Sequence, residues 1–251
     1  MIALVAGHEL RRIAGSAQSW VVAALVAALA AWLFLSRLER WLAVQDELAL
    51  QDHAPGLAGF LGTGFLAPLS IVLSLVAPLY AMRAFAEDRR EGVWPLWQSS
   101  PVPLGALVLG RFLGTGAALV AFVALGVAMV LSLAPFAALD LGTVASGAAG
   151  LAACTLAAGA LGLWCSSLVR APLAGATIAV GAVLLAWLLG SARFESPLLA
   201  PLAGLSPGTR LAGFFQGVPA TGDAAYFGLA VALFLALTAI RLDALRHAGE
   251  R

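Results

Sequence analysis

Few side chains in this sequence could carry covalent or metal chemistry, and those few do not gather. His8, His53 and His247 fall in three separate polar segments and supply no common metal site. Cys154 and Cys165 lie on one apolar run and would share a helix face about 16 Å apart by helical rise, too far for a disulfide. No Ser/His/Asp or Cys/His constellation and no paired intramembrane carboxylates are present, so neither nucleophilic catalysis nor a proton or sodium relay is expected. The dense group is Arg83, Glu87, Asp88, Arg89, Arg90 and Glu91, followed by Trp94 and Trp97 at i, i+3 helical spacing. The chemistry of that set is recognition, with charges that orient a partner and rings that anchor it. The alternative is a solvated loop whose tryptophans rest among lipid headgroups.

The segment that must position this group runs from Met82 to Pro103, between two long apolar runs. Gly92 suits a left-handed end to a first short helix, and Pro95 suits the first turn of a second, which Pro101 and Pro103 would end. The expected result is a short helical structure at the membrane face.

The rest of the chain is set by composition. At 62% hydrophobic and 11% charged, with a mean hydropathy of +0.97, 251 residues have too little polar surface to cover a soluble globule. The apolar material falls into six runs, giving expected spans at about 17–36, 62–82, 106–132, 143–166, 172–191 and 224–241. A helix crossing the hydrocarbon needs roughly 20 such residues, with a lower limit near 17. The fold class expected is all-α and integral to the membrane, one domain over residues 1–251. The first run is long enough to span and follows an amphipathic leader, so no cleaved signal is expected. All 14 basic residues are Arg. Without lysine the phosphate-binding GxxxxGK[ST] loop cannot form, so any ATP must be hydrolysed on another chain.

The short loops set the orientation. Placing both termini in the cytoplasm puts Arg11, Arg12, Arg83, Arg89, Arg90, Arg111, Arg170, Arg241, Arg246 and Arg251 on that side, leaving Arg37, Arg40, Arg193 and Arg210 outside. Met1 to Ala14 has the pattern of an amphipathic elbow helix in the interface; the alternative is a basic tail that only sets topology. Arg37 to Gly64 is expected outside, with a helix in its middle, and Pro68 and Pro78 are expected to bend the second span. Gly110 and Gly114 form a GxxxG pair that lets another helix approach the third span. Between the fifth and sixth spans, Ser191 to Asp223 is apolar but broken by prolines. Re-entrant or interfacial helices are expected there, with Leu202, Pro207, Phe214 and Phe215 gating an exit.

The stretch MRAFAEDRREGVWPLWQSSPVPLGALVLGRFLG resembles the permease subunits of type-2 ABC exporters. The branch it most resembles is the one associated with gliding motility and with copper-site maturation of nitrous oxide reductase. The matching residues are Met82, Arg83, Phe85, Ala86, Glu87, Gly92, Leu96, Ser100, Pro101, Val102, Gly110, Phe112 and Leu113, with Asp88 for Glu and Arg111 for Lys. Val93 stands where Thr is usual and Pro95 where Glu often stands. The resemblance implies a coupling helix between spans 2 and 3 that docks on a separate ATPase subunit through Arg83, Phe85, Glu87, Asp88, Arg90, Gly92, Trp94, Leu96 and Trp97. It also implies a dimer of ATPases holding ATP and Mg, a second permease copy or paralogue, and a place in the bacterial inner membrane. This chain would then hold no cofactor, meet lipids and a possible periplasmic or lipoprotein partner, bind no nucleic acid, and move a lipid-like or other amphiphilic cargo. Two alternatives stay open. One is a scaffold that passes ATP-driven motion to an external protein without cargo; the other is a secondary transporter.

Overall fold

The computed structural model describes residues 1–48, 56–92, 103–191 and 204–248, and no strand occurs among them. Six stretches are long and apolar enough to cross a membrane: Ala17–Gln45, Leu57–Arg90, Leu104–Leu131, Leu141–Leu168, Pro172–Gly190 and Thr221–His247. The fold class read from the sequence is the one observed.

Helix α1, Ile2–Ala14, carries Arg11 and Arg12 in its last turn, where the helix dipole favours cations. The turn into α2, Ala17–Leu48, is stitched by Trp20, whose Nε1 donates to the Ala14 carbonyl at 2.7 Å. The separate helix expected inside the external segment is instead the end of α2, which runs unbroken for 32 residues. At 1.5 Å per residue that is about 48 Å, well beyond the hydrocarbon thickness. Charges after Ser36 end the apolar span without ending the helix.

The second span is compound. Helix α3, Leu57–Leu61, passes through a π-helical segment, Gly62–Leu66, into α4, Ala67–Ala81, and then into α5, Arg83–Arg90. Pro68 sits in the first turn of α4, directly after the π-helical segment. Pro78 lies inside α4, and the regular helix gives way at Met82 four residues later.

Helix α6, Leu104–Leu131, leads to α7, Leu141–Leu168. Asp140 caps α7, accepting from the Thr143 hydroxyl at 2.7 Å and the Gly142 amide at 2.9 Å. Those bonds hold its carboxyl below the usual range, the Thr143 hydroxyl contributing most. Helix α7 is the centre of the bundle, with α4, α6, α8 (Pro172–Ser191), α9 (Pro207–Phe215) and α10 (Thr221–Ala248) packed around it. Its small side chains permit this, for the interhelical distance follows the size of the residues at the contact.

Helix α9 is too short to span. Ser206 caps it, its Oγ accepting from the Gly208 amide at 3.3 Å, and Leu211, Phe214 and Phe215 are buried. Phe215 lies against the π segment, where a Cβ on Gly62 would meet the Phe215 carbonyl oxygen at 2.5 Å. Any larger residue at 62 would push α9 away. Both phenylalanines belong to an apolar core that also holds Phe34, Phe65 and Phe227. The rings of Phe34 and Phe65 meet edge to face at 5.4 Å.

The helix that approaches at Gly110 and Gly114 is α1, not another span. A Cβ on Gly110 would lie 2.6 Å from the Val5 Cβ, and one on Gly114 would lie 2.7 Å from the Ala6 carbonyl oxygen. Because the second obstacle is backbone, Gly114→Val should cost about 2 kcal/mol and lift α1 off α6. A spin label on exposed Leu4 should then become more mobile, and unchanged mobility and thermal stability together would show that Gly114 does not seat α1.

Candidate functional site

The charged group picked out in the sequence becomes α5, which continues the second span with a sharp division of faces. Ala84, Phe85 and Asp88 point into the bundle and Arg90 is exposed. Gly92 follows at φ +72°, the left-handed conformation that ends a helix at low cost for glycine.

The inner face of α5 is fastened to four helices. Phe85 is fully buried, packed with Leu107 and Val108 of α6, Leu163 of α7 and Leu242 of α10. The guanidinium of Arg111, from α6, lies 4.6 Å from the centre of the Phe85 ring and pairs with Asp88. Both ions are largely shielded, at 3% exposure for Arg111 and 8% for Asp88. Ser166 of α7, with no exposure, accepts from the Phe85 and Ala86 amides at 3.0 and 3.1 Å and donates to the Met82 carbonyl at 2.9 Å. One hydroxyl therefore satisfies two of the amides that the first turn of α5 leaves without an intrahelical acceptor. Arg89 donates to the Ser167 carbonyl at 2.9 Å, satisfying the C-terminal end of α7.

The fourth attachment is α1. Arg12 pairs with Glu9 at 2.7 Å and stands 3.8 Å from both Glu87 and Asp88. Between α1, α5 and α6 lies a cleft of about 560 Å³ whose walls include Glu9, Arg12, Glu87, Glu91 and Arg111. At the other end of the α1–α2 turn, Arg83 donates to the Gln18 side chain and, at 3.3 Å, to the Ser16 hydroxyl.

This corrects part of the docking set read from the sequence. Phe85 and Asp88 are not offered outward, because both are buried within this chain, and Arg83 is turned toward the start of α2. Glu87 is partly covered by Arg12. Arg90 and Gly92 are exposed, while Trp94, Leu96 and Trp97 lie outside the described residues. Arg111, counted from the sequence among the loop charges, is inside α6 and buried. Of the outer set, Leu202 lies outside the described residues, Pro207 opens α9, and Phe214 and Phe215 are core residues.

Sequence reasoning missed Glu9, Arg12, Arg111 and Ser166 as site residues. A faint signal existed for two of them. Glu9 and Arg12 fall on one face of an amphipathic helix, and a carboxylate that apolar neighbours surround needs a cation. Nothing local marks Ser166, since its partners are backbone groups far away in sequence. Among the described residues no three His, Cys, Asp or Glu gather as a metal site.

A bundle of six apolar spans with a buried, bonded helix hanging from the second is the build of a multi-pass membrane protein. The family model for ABC-2 family transporter proteins matches residues 43–240, and the chain belongs to that family. It is thus a permease subunit of an ABC transporter, a kind of membrane domain that is generally non-catalytic and pairs with an ABC ATPase subunit. No curated protein matches the chain.

Proposed function

We propose that this permease couples ATP hydrolysis on a separate ATPase subunit to export of a lipid-like or other amphiphilic cargo across a bacterial inner membrane, with both termini cytoplasmic. ATP and Mg are bound by the ATPase dimer. Two permeases complete the transporter, and the likeness of the 82–113 stretch favours the gliding-motility and nitrous-oxide-reductase-maturation branch. A periplasmic or lipoprotein partner belongs to the same reading.

The observation that carries it is the attachment of α5. Movement imposed on the end of this helix reaches α6 through Asp88 and Arg111, α7 through Ser166, and α1 through Arg12, without a flexible link between. Arg90 and Gly92, with Trp94, Leu96 and Trp97 beyond them, are the docking face. The buried Asp88 and Phe85 transmit rather than touch. On the outer side, Leu202 and α9 with Pro207, Phe214 and Phe215 form the exit gate, which opens when Phe214 and Phe215 leave the α7 and π-segment surfaces.

The double change Trp94→Ala and Trp97→Ala should weaken docking of the ATPase by about 2 kcal/mol or more, near 30-fold. The measurement is the yield of co-purified ATPase and its hydrolysis rate in the complex. If both are unchanged, the coupling reading fails.

A further inference from the structure

Beyond coupling, the α1–α2 turn carries a two-part cavity that no other role explains. A trough of about 210 Å³ runs between α1, α2, α4 and α6, with Leu10, Trp20, Ala118 and Phe122 among its walls and almost no polar surface. A smaller and more polar cavity of about 60 Å³ adjoins it, with Arg12, Ser16, Gln18 and Arg83 beside Val22 and Leu79 on its walls. Ile13, Ser19 and Tyr80 line both, so the two lie side by side with a shared wall. Tyr80 donates its hydroxyl to the Ser19 carbonyl at 2.8 Å within that wall, over whose rim a two-part ligand would pass.

The electrostatics of the polar part select its ligand. Glu87 is on the same rim, but Arg12 stands 3.8 Å from it, and Arg12 is also held by Glu9. Arg83 has only neutral partners, Gln18 and Ser16, and no carboxylate pairs with it among the described residues. A half-buried guanidinium without a counter-ion, next to the Ser16 hydroxyl, attracts a phosphate, which a planar fork of donors can grip at two oxygens. The trough beside it is apolar and sits against Trp20, an exposed ring of the kind that favours headgroup depth.

We propose that this cavity is a phospholipid site. The phosphate of an anionic lipid sits at Arg83, Ser16 and Ser19, and one acyl chain lies in the trough against Ala118 and Phe122. An apolar chain joined to a phosphate fits both halves at once, and neither free phosphate nor a plain hydrocarbon does. The lipid would brace α1 against α4 and α6 at the end of the bundle where α5 is held. The site belongs to the permease alone and stands whether or not α5 docks on an ATPase.

Native mass spectrometry of the purified chain, delipidated and then titrated with dioleoyl phosphatidylglycerol or dioleoyl phosphatidylcholine, tests it. The wild type is expected to retain phosphatidylglycerol about tenfold more strongly than phosphatidylcholine, and Arg83→Gln should remove that preference. Ala118→Phe, which fills the trough from a half-exposed position, should lower retention of both lipids. Inorganic phosphate should not displace the lipid. Equal retention of the two lipids by the wild type, a preference unchanged by Arg83→Gln, or displacement by inorganic phosphate overturns the proposal. If Arg83→Gln does not fold, Ala118→Phe decides alone: retention equal to the wild type overturns it.

Discussion

Asp88→Ala is expected to destabilise the permease by about 3–5 kcal/mol, because it removes one member of a shielded ion pair and leaves the other in place. Arg111 is 3% exposed and stacks on Phe85, so its charge stays largely shielded when the Asp88 carboxylate is gone. Arg12 at 3.8 Å would lose one of its three acidic neighbours as well. The effect is asymmetric, since a charge left alone costs far more than a pair replaced whole. The double change Asp88→Leu with Arg111→Met should therefore recover most of the loss, as apolar residues of similar volume often match a buried pair. Arg111→Lys in the otherwise unchanged chain should also destabilise, because an ammonium cannot repeat the planar stacking on Phe85. Cys154 and Cys165 are both buried, so their reaction with a thiol-sensitive dye on heating reports unfolding directly. A loss below about 1 kcal/mol for Asp88→Ala would place the pair among solvent-screened surface bridges and remove it from the path between α5 and α6.

The membrane fold was legible because a bilayer imposes a length and a composition that few other environments do. Six apolar runs gave six spans. What composition could not show was where a helix continues after its apolar run stops. Past Ser36 the sequence turns polar at Arg37, Glu39 and Arg40, yet α2 goes on to Leu48, since charged residues are good helix formers once out of the hydrocarbon. Gly110 and Gly114 announced a close approach, but four-residue spacing says nothing about which helix comes. The visitor proved to be α1, whose Val5, Ala6 and Glu9 meet those positions. The charge cluster was visible as a cluster, whereas its division into inward Asp88 and outward Arg90 depends on partners distant in sequence. Asp88 pairs with Arg111 across residues 93–102, and the Phe85 amide bonds to Ser166, some 80 residues on. Pairings of that range are fixed by packing around α7, and no local pattern encodes them.

Ser166→Ala should cost about 3 kcal/mol and should also loosen the link between α5 and the rest of the bundle. A buried polar group left without a partner costs about 1–3 kcal/mol, and this change strands the Phe85 and Ala86 amides together. Water cannot replace the hydroxyl readily, because Ser166 is fully buried and Ala84 and Leu163 around it are too. Ser167 is the matched control. Its hydroxyl donates only to the Trp164 carbonyl within the same helix, at 2.6 Å, so Ser167→Ala should stay within about 1 kcal/mol of the wild type. Ser166→Thr restores the hydroxyl at the expense of one added methyl, and should recover part of the loss. In the complex with its ATPase, Ser166→Ala should leave co-purification intact while reducing the change in hydrolysis rate that the permease confers, since the proposed function puts docking on the outer face of α5 and transmission on the inner one. Equal thermal stability for Ser166→Ala and Ser167→Ala would show that the three bonds at the base of α5 add nothing to its hold on α7. An undiminished effect on hydrolysis would mean that motion of α5 travels by Asp88 and Arg111 into α6 instead.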